Sequence, residues 1–340
     1  RSRSRGRVTA EATRDFAPTG LIANPHVQSI LVSSPLRRVL LRQRAAPLLA
    51  ASRDLLLDCG EGVRLHAWHA PQSGGRARGT AVLIHGWEGA GDSSYLLSAS
   101  MSMYTAGWNV VRLHLRDHGP SHHLNEDLFH SNRIREVVGG VARLAELFPQ
   151  RPFCLGGFSL GGNFALRVAA RAQDAGIPLD RVMAVCPVLD PASTLDAMEH
   201  GPRVYERYFM MKWRRSLRIK AKLFPERYDF GDLKRFRGLR DMTDDFVRDY
   251  SEYPDLASYL AGYAITGDAL ASVAVPTLLV AAQDDPVIPA RDLPRLARPG
   301  SLQVVATTRG GHCGFLPSAF GQSWIDGLMR EWFGAAAAGA

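Results

Sequence analysis

The stretch GGFSLGGN, residues 156–163, carries one serine among four glycines and lies between two apolar segments. Glycine inside a strand or helix costs roughly 0.5–1 kcal/mol relative to alanine, because its unfolded chain loses more freedom on ordering. Residues 157–161 fit the pattern G-x-S-x-G where a predicted strand passes into a predicted helix. The glycines let strand and helix pass close together, so that the hydroxyl of Ser159 projects from the strand end. This context predicts a nucleophile elbow and disfavours the alternative, a glycine-rich turn with an incidental serine.

Apolar segments alternate with amphipathic ones on both sides of this turn. Buried strands are predicted at 80–86, 108–115, 151–158, 180–187, 275–285 and 301–308. Helices are predicted at 93–107, 132–148, 163–176 and 317–333. This alternation indicates an α/β fold, with a mostly parallel central sheet and helices on both faces. Residues 53–70 alternate and turn at GEG, which predicts an antiparallel hairpin at the N-terminal edge of the sheet.

The segment 190–270 interrupts this alternation. It holds no clear buried strand and is rich in Arg, Tyr, Phe, Met and Trp. We interpret it as a helical cap, or lid, inserted into an α/β core that comprises residues 21–189 and 271–334. We expect residues 1–20, with the basic start RSRSRGR, to form a flexible N-terminus.

A serine hydroxyl needs a base before it can attack, and nucleophile-elbow enzymes order their partners Ser, then acid, then His. Downstream, VAAQDDPVIP (280–289) ends a strand with two aspartates, and TTRGGHCGF (307–315) places His312 in a glycine loop after the next strand. We therefore predict a triad of Ser159, Asp285 and His312. Asp190, at the end of an earlier strand, is an alternative acid, whereas Asp284 is expected to act as a cap or turn residue.

Acyl transfer also requires N–H donors for the oxyanion of the tetrahedral intermediate. The N–H of Leu160 follows the nucleophile and opens a helix, where unpaired donors favour an anion. The loop HGWEG (85–89) follows the strand TAVLI and is expected to supply a second donor, the N–H of Trp87. The Trp87 ring is expected either to wall the acyl pocket or to pack in the core.

Separated blocks of the chain resemble the α/β-hydrolase superfamily and, within it, the YheT-like branch. NPHVQSI (24–30) resembles the N-terminal signature of that branch, and HGWEGAGDSSY (85–95) resembles its HG-x-EG…S-x-Y block. GGFSLGGN, AQDDPVIP and GGHCGF resemble its elbow, acid and histidine blocks. The resemblance implies a serine hydrolase for carboxylic esters of the acylglycerol, phospholipid or medium-chain kind. The loop RLHLRDHGPS (112–121) departs from the R-G-x-G expected there, which puts substrate preference in doubt.

Composition and charge narrow the classes of partner. The net charge of +8 is concentrated in 203–240, where thirteen Lys or Arg face four Asp or Glu. No nucleic-acid-binding motif accompanies this charge, so we expect no nucleic-acid partner. The basic aromatic stretch 205–224 is expected to be a cap helix, with contact to an anionic membrane surface as the alternative. The basic start is not followed by an apolar run of the secretory kind, so we expect a cytoplasmic protein, with peripheral membrane association as the variant.

Cysteine and histidine content could also indicate metal or redox chemistry. The four cysteines form no CxxC pair and predict incidental thiols in a reducing compartment. Five histidines between 114 and 130 include pairs spaced by four, but Gly119 and Pro120 interrupt any helix that would align them. We therefore expect a polar loop beside the active site and no metal or organic cofactor. The predicted function is ester hydrolysis through an acyl-enzyme; the alternatives are acyl transfer to an alcohol and non-catalytic lipid binding.

Overall fold

The computed structural model describes residues 16–75 and 77–337. Of the predicted flexible N-terminus, residues 1–20, the first fifteen lie outside the described residues. Within residues 16–20, Phe16 is buried against Phe315, with ring centroids 5.8 Å apart. The strands are β1 (Arg53–Asp58), β2 (Arg64–Ala70), β3 (Thr80–Ile84), β4 (Asn109–Leu113), β5 (Phe153–Phe158), β6 (Arg181–Val185), β7 (Thr277–Ala282) and β8 (Leu302–Thr307).

These strands form one sheet in the order β1-β2-β4-β3-β5-β6-β7-β8. Only the pairings of β2 with β1 and with β4 are antiparallel within the described residues, and the remaining pairings are parallel. Every residue of β3, β4, β5 and β7 is buried, as expected for strands covered on both faces. The predicted α/β fold with an antiparallel edge hairpin is thus confirmed.

The helices cover both faces of the sheet, and two apolar clusters form the layers between them. The α-helices of the described residues are α1 (Pro25–Val32), α2 (Pro35–Arg44), α3 (Ala46–Ala51), α4 (Ser94–Thr105), α5 (Ile134–Leu147), α6 (Leu160–Ala169), α7 (Pro191–His200), α8 (Arg203–Leu223), α9 (Leu239–Tyr250), α10 (Leu256–Ala261) and α11 (Trp324–Ala337).

The helix predicted at 317–333 begins later than expected, at Trp324. Ser323 precedes it, and its backbone N–H donates to a carboxylate oxygen of Asp326 at 3.2 Å, which replaces one helical bond at the start of the helix. Apolar spacing extends upstream into the turn around Phe320, and the pattern alone could not place the start.

Four helices, α7 to α10, lie between β6 and β7, in the segment predicted to form the cap. The long α8 exposes most of its charged residues on one side, and on the other side Tyr205, Met210, Trp213 and Leu217 lie in the interior. Among the described residues, no helix is both long and apolar enough to cross a membrane. Because β3, β5, β7 and β8 run parallel, the loops that follow them gather at one edge of the sheet, beneath these helices.

Candidate active site

Ser159 lies in a strained turn between β5 and α6, with φ 53° and ψ −121°. Neighbouring glycines make this turn possible. A Cβ on Gly157 would lie 2.1 Å from the carbonyl oxygen of Gly161, and a Cβ on Gly161 would lie 2.3 Å from that of His85. Any side chain at either position would therefore collide with backbone. The two glycines allow β5, α6 and β3 to pass close enough to present the Ser159 hydroxyl at the sheet edge.

The predicted triad residues come together in one hydrogen-bonded chain. Nε2 of His312 lies 3.0 Å from Oγ of Ser159, and Nδ1 of His312 lies 2.9 Å from Oδ2 of Asp285. The other oxygen of Asp285, Oδ1, accepts the backbone N–H groups of Val287 at 2.8 Å and Ile288 at 2.9 Å. The carboxylate is thereby fixed in position and directed at the imidazole. This geometry suits a serine, a base and a group that orients the base.

The environment of His312 favours its charged form. Burial lowers the pKa of this imidazole, but the negative charge of Asp285, its hydrogen bond and the neighbouring Cys313 outweigh burial and raise the pKa well above the ordinary value. An imidazolium that forms when the serine loses its proton is therefore stabilised.

The two other aspartates considered from the sequence have different partners. Asp190 caps α7 by accepting the N–H of Ala192 at 3.0 Å, and its other oxygen pairs with Arg295 at 2.6 Å. Oδ1 of Asp284 accepts the backbone N–H of Gly311 at 2.9 Å and so supports the loop before His312. The histidine ring is bound by Asp285 alone among these three.

The N-terminal helix α1 holds the His312 loop from the other side. Oγ of Ser29 accepts the backbone N–H of His312 at 2.8 Å. The Gln28 amide accepts the N–H of Leu316 at 2.8 Å and donates to its carbonyl at 3.0 Å. Gly311 has φ 57°, and a Cβ there would lie 2.5 Å from the carbonyl of Pro25, so α1 packs directly on the loop. The NPHVQS block is therefore a support for the histidine.

The N–H groups of Trp87 and Leu160 are the donors predicted for an oxyanion. Both residues and Ser159 line one cavity, and neither N–H donates to a protein atom within 16–75 and 77–337. The loop is held at the next peptide, where the N–H of Glu88 donates to Nε2 of His118 at 3.0 Å. The Tyr95 hydroxyl accepts the N–H of Gly86 at 2.9 Å. Both predicted donors thus line the cavity at Ser159, and the loop that carries Trp87 is held on both sides.

The cap helix α8 contacts this loop directly. The Trp87 ring stacks on Phe209 with centroids 5.3 Å apart and meets Trp213 edge-on at 5.4 Å. Nζ of Lys212 donates to the backbone carbonyl of Glu88. The Trp87 ring therefore lies between α8 and the cavity at Ser159.

The loop that departs from the family pattern is tied to the same helix. Lys220 is 1% exposed, and its Nζ lies 2.8 Å from Oδ1 of Asp117. Oγ of Ser216 donates to the Asp117 carbonyl at 3.2 Å and lies 2.8 Å from Nε2 of His122. Asp117 and His118 thus connect α8 to the loop that carries Trp87 and Glu88.

Two cavities meet at Ser159. Trp87 and Phe209 also line both. The cap cavity, of about 830 Å³ including space open to solvent, extends under α7 to α10 and is mostly apolar, with walls that include Leu195, Met198, Trp213, Leu239, Phe246 and Leu260. The N-terminal cavity, of about 1140 Å³ including space open to solvent, extends between α1, α2, α4 and α8. It is also mostly apolar but has two cationic side chains in its wall, with lining residues that include Ile30, Arg38, Ser94, Tyr205, Tyr208 and Lys212.

The histidines of 114–130 form separate structural contacts. Nε2 of His114 accepts the N–H of Gly91 at 2.9 Å, and burial lowers the pKa of this ring well below its ordinary value. The group of possible metal ligands found among the described residues is elsewhere, at Cys186, His312 and Cys313, with ligand atoms within 4.8 Å of one another. Its histidine is the one bound to Ser159.

Sequence reasoning missed several supporting residues. The sequence predicts a polar loop around His118 and a helix with solvent-facing charges around Lys220. Both side chains are buried instead. Lys220 follows Trp213, Ser216 and Leu217 at helical spacing, which was a usable signal for a buried position.

Comparison with known proteins follows from this geometry. The alpha/beta hydrolase fold family matches residues 81–319. The Escherichia coli (strain K12) protein named "Putative esterase YheT" is 24% identical over 327 residues, which cover 94% of this chain and 93% of that protein. "Monoacylglycerol lipase ABHD2" of Danio rerio is 28% identical over 214 residues, 57% of this chain and 49% of that protein.

Solved structures agree on the fold. The Pyrococcus furiosus esterase Pf2001 superposes with a TM-score of 0.54 at 15% identity, covering 83% of this chain and 91% of that one. The family match over 81–319 agrees with the sheet order and with the elbow at Ser159. This chain belongs to the alpha/beta hydrolase fold family, with similarity to its YheT-like members.

Proposed function

We propose that this protein is a serine hydrolase that cleaves carboxylic esters through an acyl-enzyme. The observation that carries the proposal is the hydrogen-bonded chain from Ser159 through His312 to Asp285 at the meeting point of two cavities. The similarity to proteins named as esterases supports the same reaction.

The reaction follows from the roles of these atoms. Nε2 of His312 accepts the Ser159 proton as Oγ attacks the ester carbonyl, and Asp285 stabilises the resulting imidazolium. The N–H groups of Trp87 and Leu160 bind the oxyanion. His312 then returns the proton to the leaving alcohol, and a water molecule activated by the same base releases the acid. Each step uses side chains and backbone of this chain.

The substrate class is inferred from the walls of the cap cavity. Apolar and aromatic side chains dominate this cavity, which suits an aliphatic acyl chain. The similarity to a protein named as a monoacylglycerol lipase favours lipid-like esters. We therefore propose medium-chain or longer acyl esters, with the chain under α7 to α10 and the alcohol in the N-terminal cavity.

Active-site labelling tests the proposal. A fluorophosphonate probe, read by intact mass, is expected to add once to the wild type and not to Ser159→Ala. A series of p-nitrophenyl esters should then give a chain-length optimum that is lost in Ser159→Ala. An unlabelled but folded wild type, or ester cleavage by Ser159→Ala at the wild-type rate, would refute it and favour non-catalytic lipid binding.

Acyl transfer to an alcohol uses the same acyl-enzyme and differs only in the acceptor. The N-terminal cavity has room for an alcohol beside Ser159, which keeps this second activity open to test. Product analysis with added glycerol separates the two: free acid alone supports hydrolysis, and a new ester supports transfer.

Contact with an anionic membrane is a further part of the proposal. The basic helix α8 exposes several apolar side chains, namely Val204, Met211, Ile219 and Leu223. Basic and apolar groups together on one helix favour an anionic surface. Co-sedimentation with phosphatidylserine vesicles at low salt is expected; its absence would refute membrane contact and leave ester cleavage unaffected.

A further inference from the structure

The N-terminal cavity differs from the cap cavity in its charge. Arg38 of α2 and Lys212 of α8 both line it, and no Asp or Glu of the described residues does. Asp92, two residues before α4, pairs with Arg42 at 3.3 Å and is not part of the wall. Positive charge is therefore uncompensated in a cavity that ends at Ser159.

The Arg38 guanidinium has no partner among the residues that the structure describes. Its Nε is buried without a hydrogen bond, and no hydrogen bond or ion pair joins the side chain to any of the described residues. Arg38 is half-buried, but its Nε–H has lost contact with water without gaining an acceptor, and an unsatisfied buried donor is costly. The cost is recovered if an anion enters the cavity.

Ser94 supplies a second unused donor in the same wall. This residue is 1% exposed, and its hydroxyl has no hydrogen-bond partner among the described residues. Ser94 is also the first residue of the twelve-residue helix α4, whose N-terminal end carries a partial positive charge. Hydroxyl and helix end thus favour the same kind of ligand as Arg38.

Lys212 adds charge without needing a new partner. Its Nζ donates to the Glu88 carbonyl, which fixes the amine at the rim of the site. The carboxyl of Glu88 does not line the cavity, and burial raises its pKa to about 8, so that it is mostly neutral at pH 7. The positive potential of the cavity is therefore retained near neutrality.

We propose that the N-terminal cavity binds an anionic group, a phosphate or a carboxylate, on the alcohol half of the ester, with Arg38 and Ser94 as its ligands. The assignment rests on the proposed ester hydrolysis, which directs the acyl chain into the apolar cap cavity and the alcohol into the other. The substrates are then acyl esters of anionic alcohols, such as acylglycerol phosphates.

Two substrates with one acyl chain test the proposal kinetically. We expect kcat/KM for 1-decanoylglycerol 3-phosphate to exceed that for 1-decanoylglycerol in the wild type. Arg38→Gln should lower the value for the phosphate ester about 10- to 100-fold, the size of a charge-assisted hydrogen bond, and leave the neutral ester within about twofold. Ser94→Ala should show a smaller loss in the same direction. Arg42→Gln, with the same charge change on the same helix, should leave the ratio unchanged.

Binding without turnover provides an independent measurement. In Ser159→Ala, calorimetric titration with glycerol 3-phosphate is expected to show binding that the added Arg38→Gln substitution removes. Binding of inorganic phosphate but not of glycerol 3-phosphate would contradict a substrate role, as would an ester ratio that Arg38→Gln and Ser94→Ala leave unchanged. If neither ester is cleaved, ester hydrolysis is refuted, while the titration still decides whether the cavity binds anions.

Discussion

The hydroxyl of Ser29 accepts the backbone N–H of His312 at 2.8 Å, across 283 residues of sequence. The first α-helix of the described residues, α1, thus fixes the loop that carries the histidine. Ser29→Ala removes this acceptor and should lower kcat about 5- to 10-fold, with KM little changed, because the base is less well positioned. Steady-state kinetics on a p-nitrophenyl ester measures the effect.

The matched control for this change is Ser73→Ala, at an exposed serine outside the site. It should behave as wild type. Equal kinetics in Ser29→Ala and wild type would show that the loop keeps its position without α1.

The glycines of the elbow should tolerate no side chain. Gly157→Ala places a Cβ 2.1 Å from the backbone of Gly161, so we expect a loss of about 3 kcal/mol or more in the free energy of unfolding. Gly334→Ala, in α11 with nothing within 4 Å, should be neutral or stabilising. Thermal unfolding followed by circular dichroism compares them. A Gly157→Ala protein as stable as wild type would mean that strand and helix can separate here.

The raised pKa of His312 predicts how activity depends on pH. The imidazole acts as a base only when neutral, so kcat/KM should rise with pH through the His312 pKa, on the alkaline side of an ordinary histidine. Asp285→Asn removes the charge that raises this pKa. It should lower kcat about 10⁴-fold and move the acid limb of the residual activity to lower pH.

Asp190→Asn is the control for that pair of effects. Asp190 caps α7 and pairs with Arg295, so its replacement should cost about 1 kcal/mol of stability and leave the pH profile in place. A shift of the acid limb in Asp190→Asn and none in Asp285→Asn would show that Asp190, and not Asp285, acts on His312.

Cys313 should be the most reactive thiol of the chain. Its Sγ lies 3.9 Å from Nε2 of His312; burial raises its pKa, but the Cys186 hydrogen bond and the charge of His312 outweigh burial and lower it below the ordinary value of a thiol. Burial raises the pKa of Cys59 to about 12. Iodoacetamide at pH 7.5 is therefore expected to alkylate Cys313 first and to inactivate the enzyme, because the adduct enters the N-terminal cavity.

Peptide mass mapping and residual activity follow the two events together. Cys313→Ala should resist inactivation, whereas Cys59→Ala should be inactivated at the wild-type rate. Inactivation of Cys313→Ala by the same reagent would locate the sensitive thiol elsewhere.

The buried pair between Lys220 and Asp117 should anchor the cap. Both side chains are at most 6% exposed, and Lys220→Ala would leave an unpaired buried carboxylate. We expect a loss of about 3–5 kcal/mol, against almost none for the exposed Lys222→Ala two residues later. Guanidinium unfolding curves measure both. Equal stability of the two variants would show that the pair contributes nothing net.

The sequence was informative where local pattern and chemistry coincide. Continuous apolar strands and the glycines around Ser159 predicted the sheet and the elbow, and the fold is confirmed; the roles of Asp285 and His312 stay predictions until the variants are measured. What local pattern could not supply is contact across the chain. The contact of Ser29 with His312 spans 283 residues, and that of Lys220 with Asp117 spans 103. Each contact joins polar groups that, considered one at a time, would be expected at the surface.

Trp87 carries a predicted oxyanion donor, its backbone N–H, and its ring stacks on Phe209 of α8. A substitution in the cap can consequently affect both the pocket for the acyl chain and the peptide of Trp87. A substitution at Phe209 that adapts the enzyme to a different acyl chain also shifts the ring on which the oxyanion peptide rests. Substrate range and turnover rate are thus coupled. Relatives that differ in the cap should therefore differ in kcat as well as in the acyl chain that they prefer.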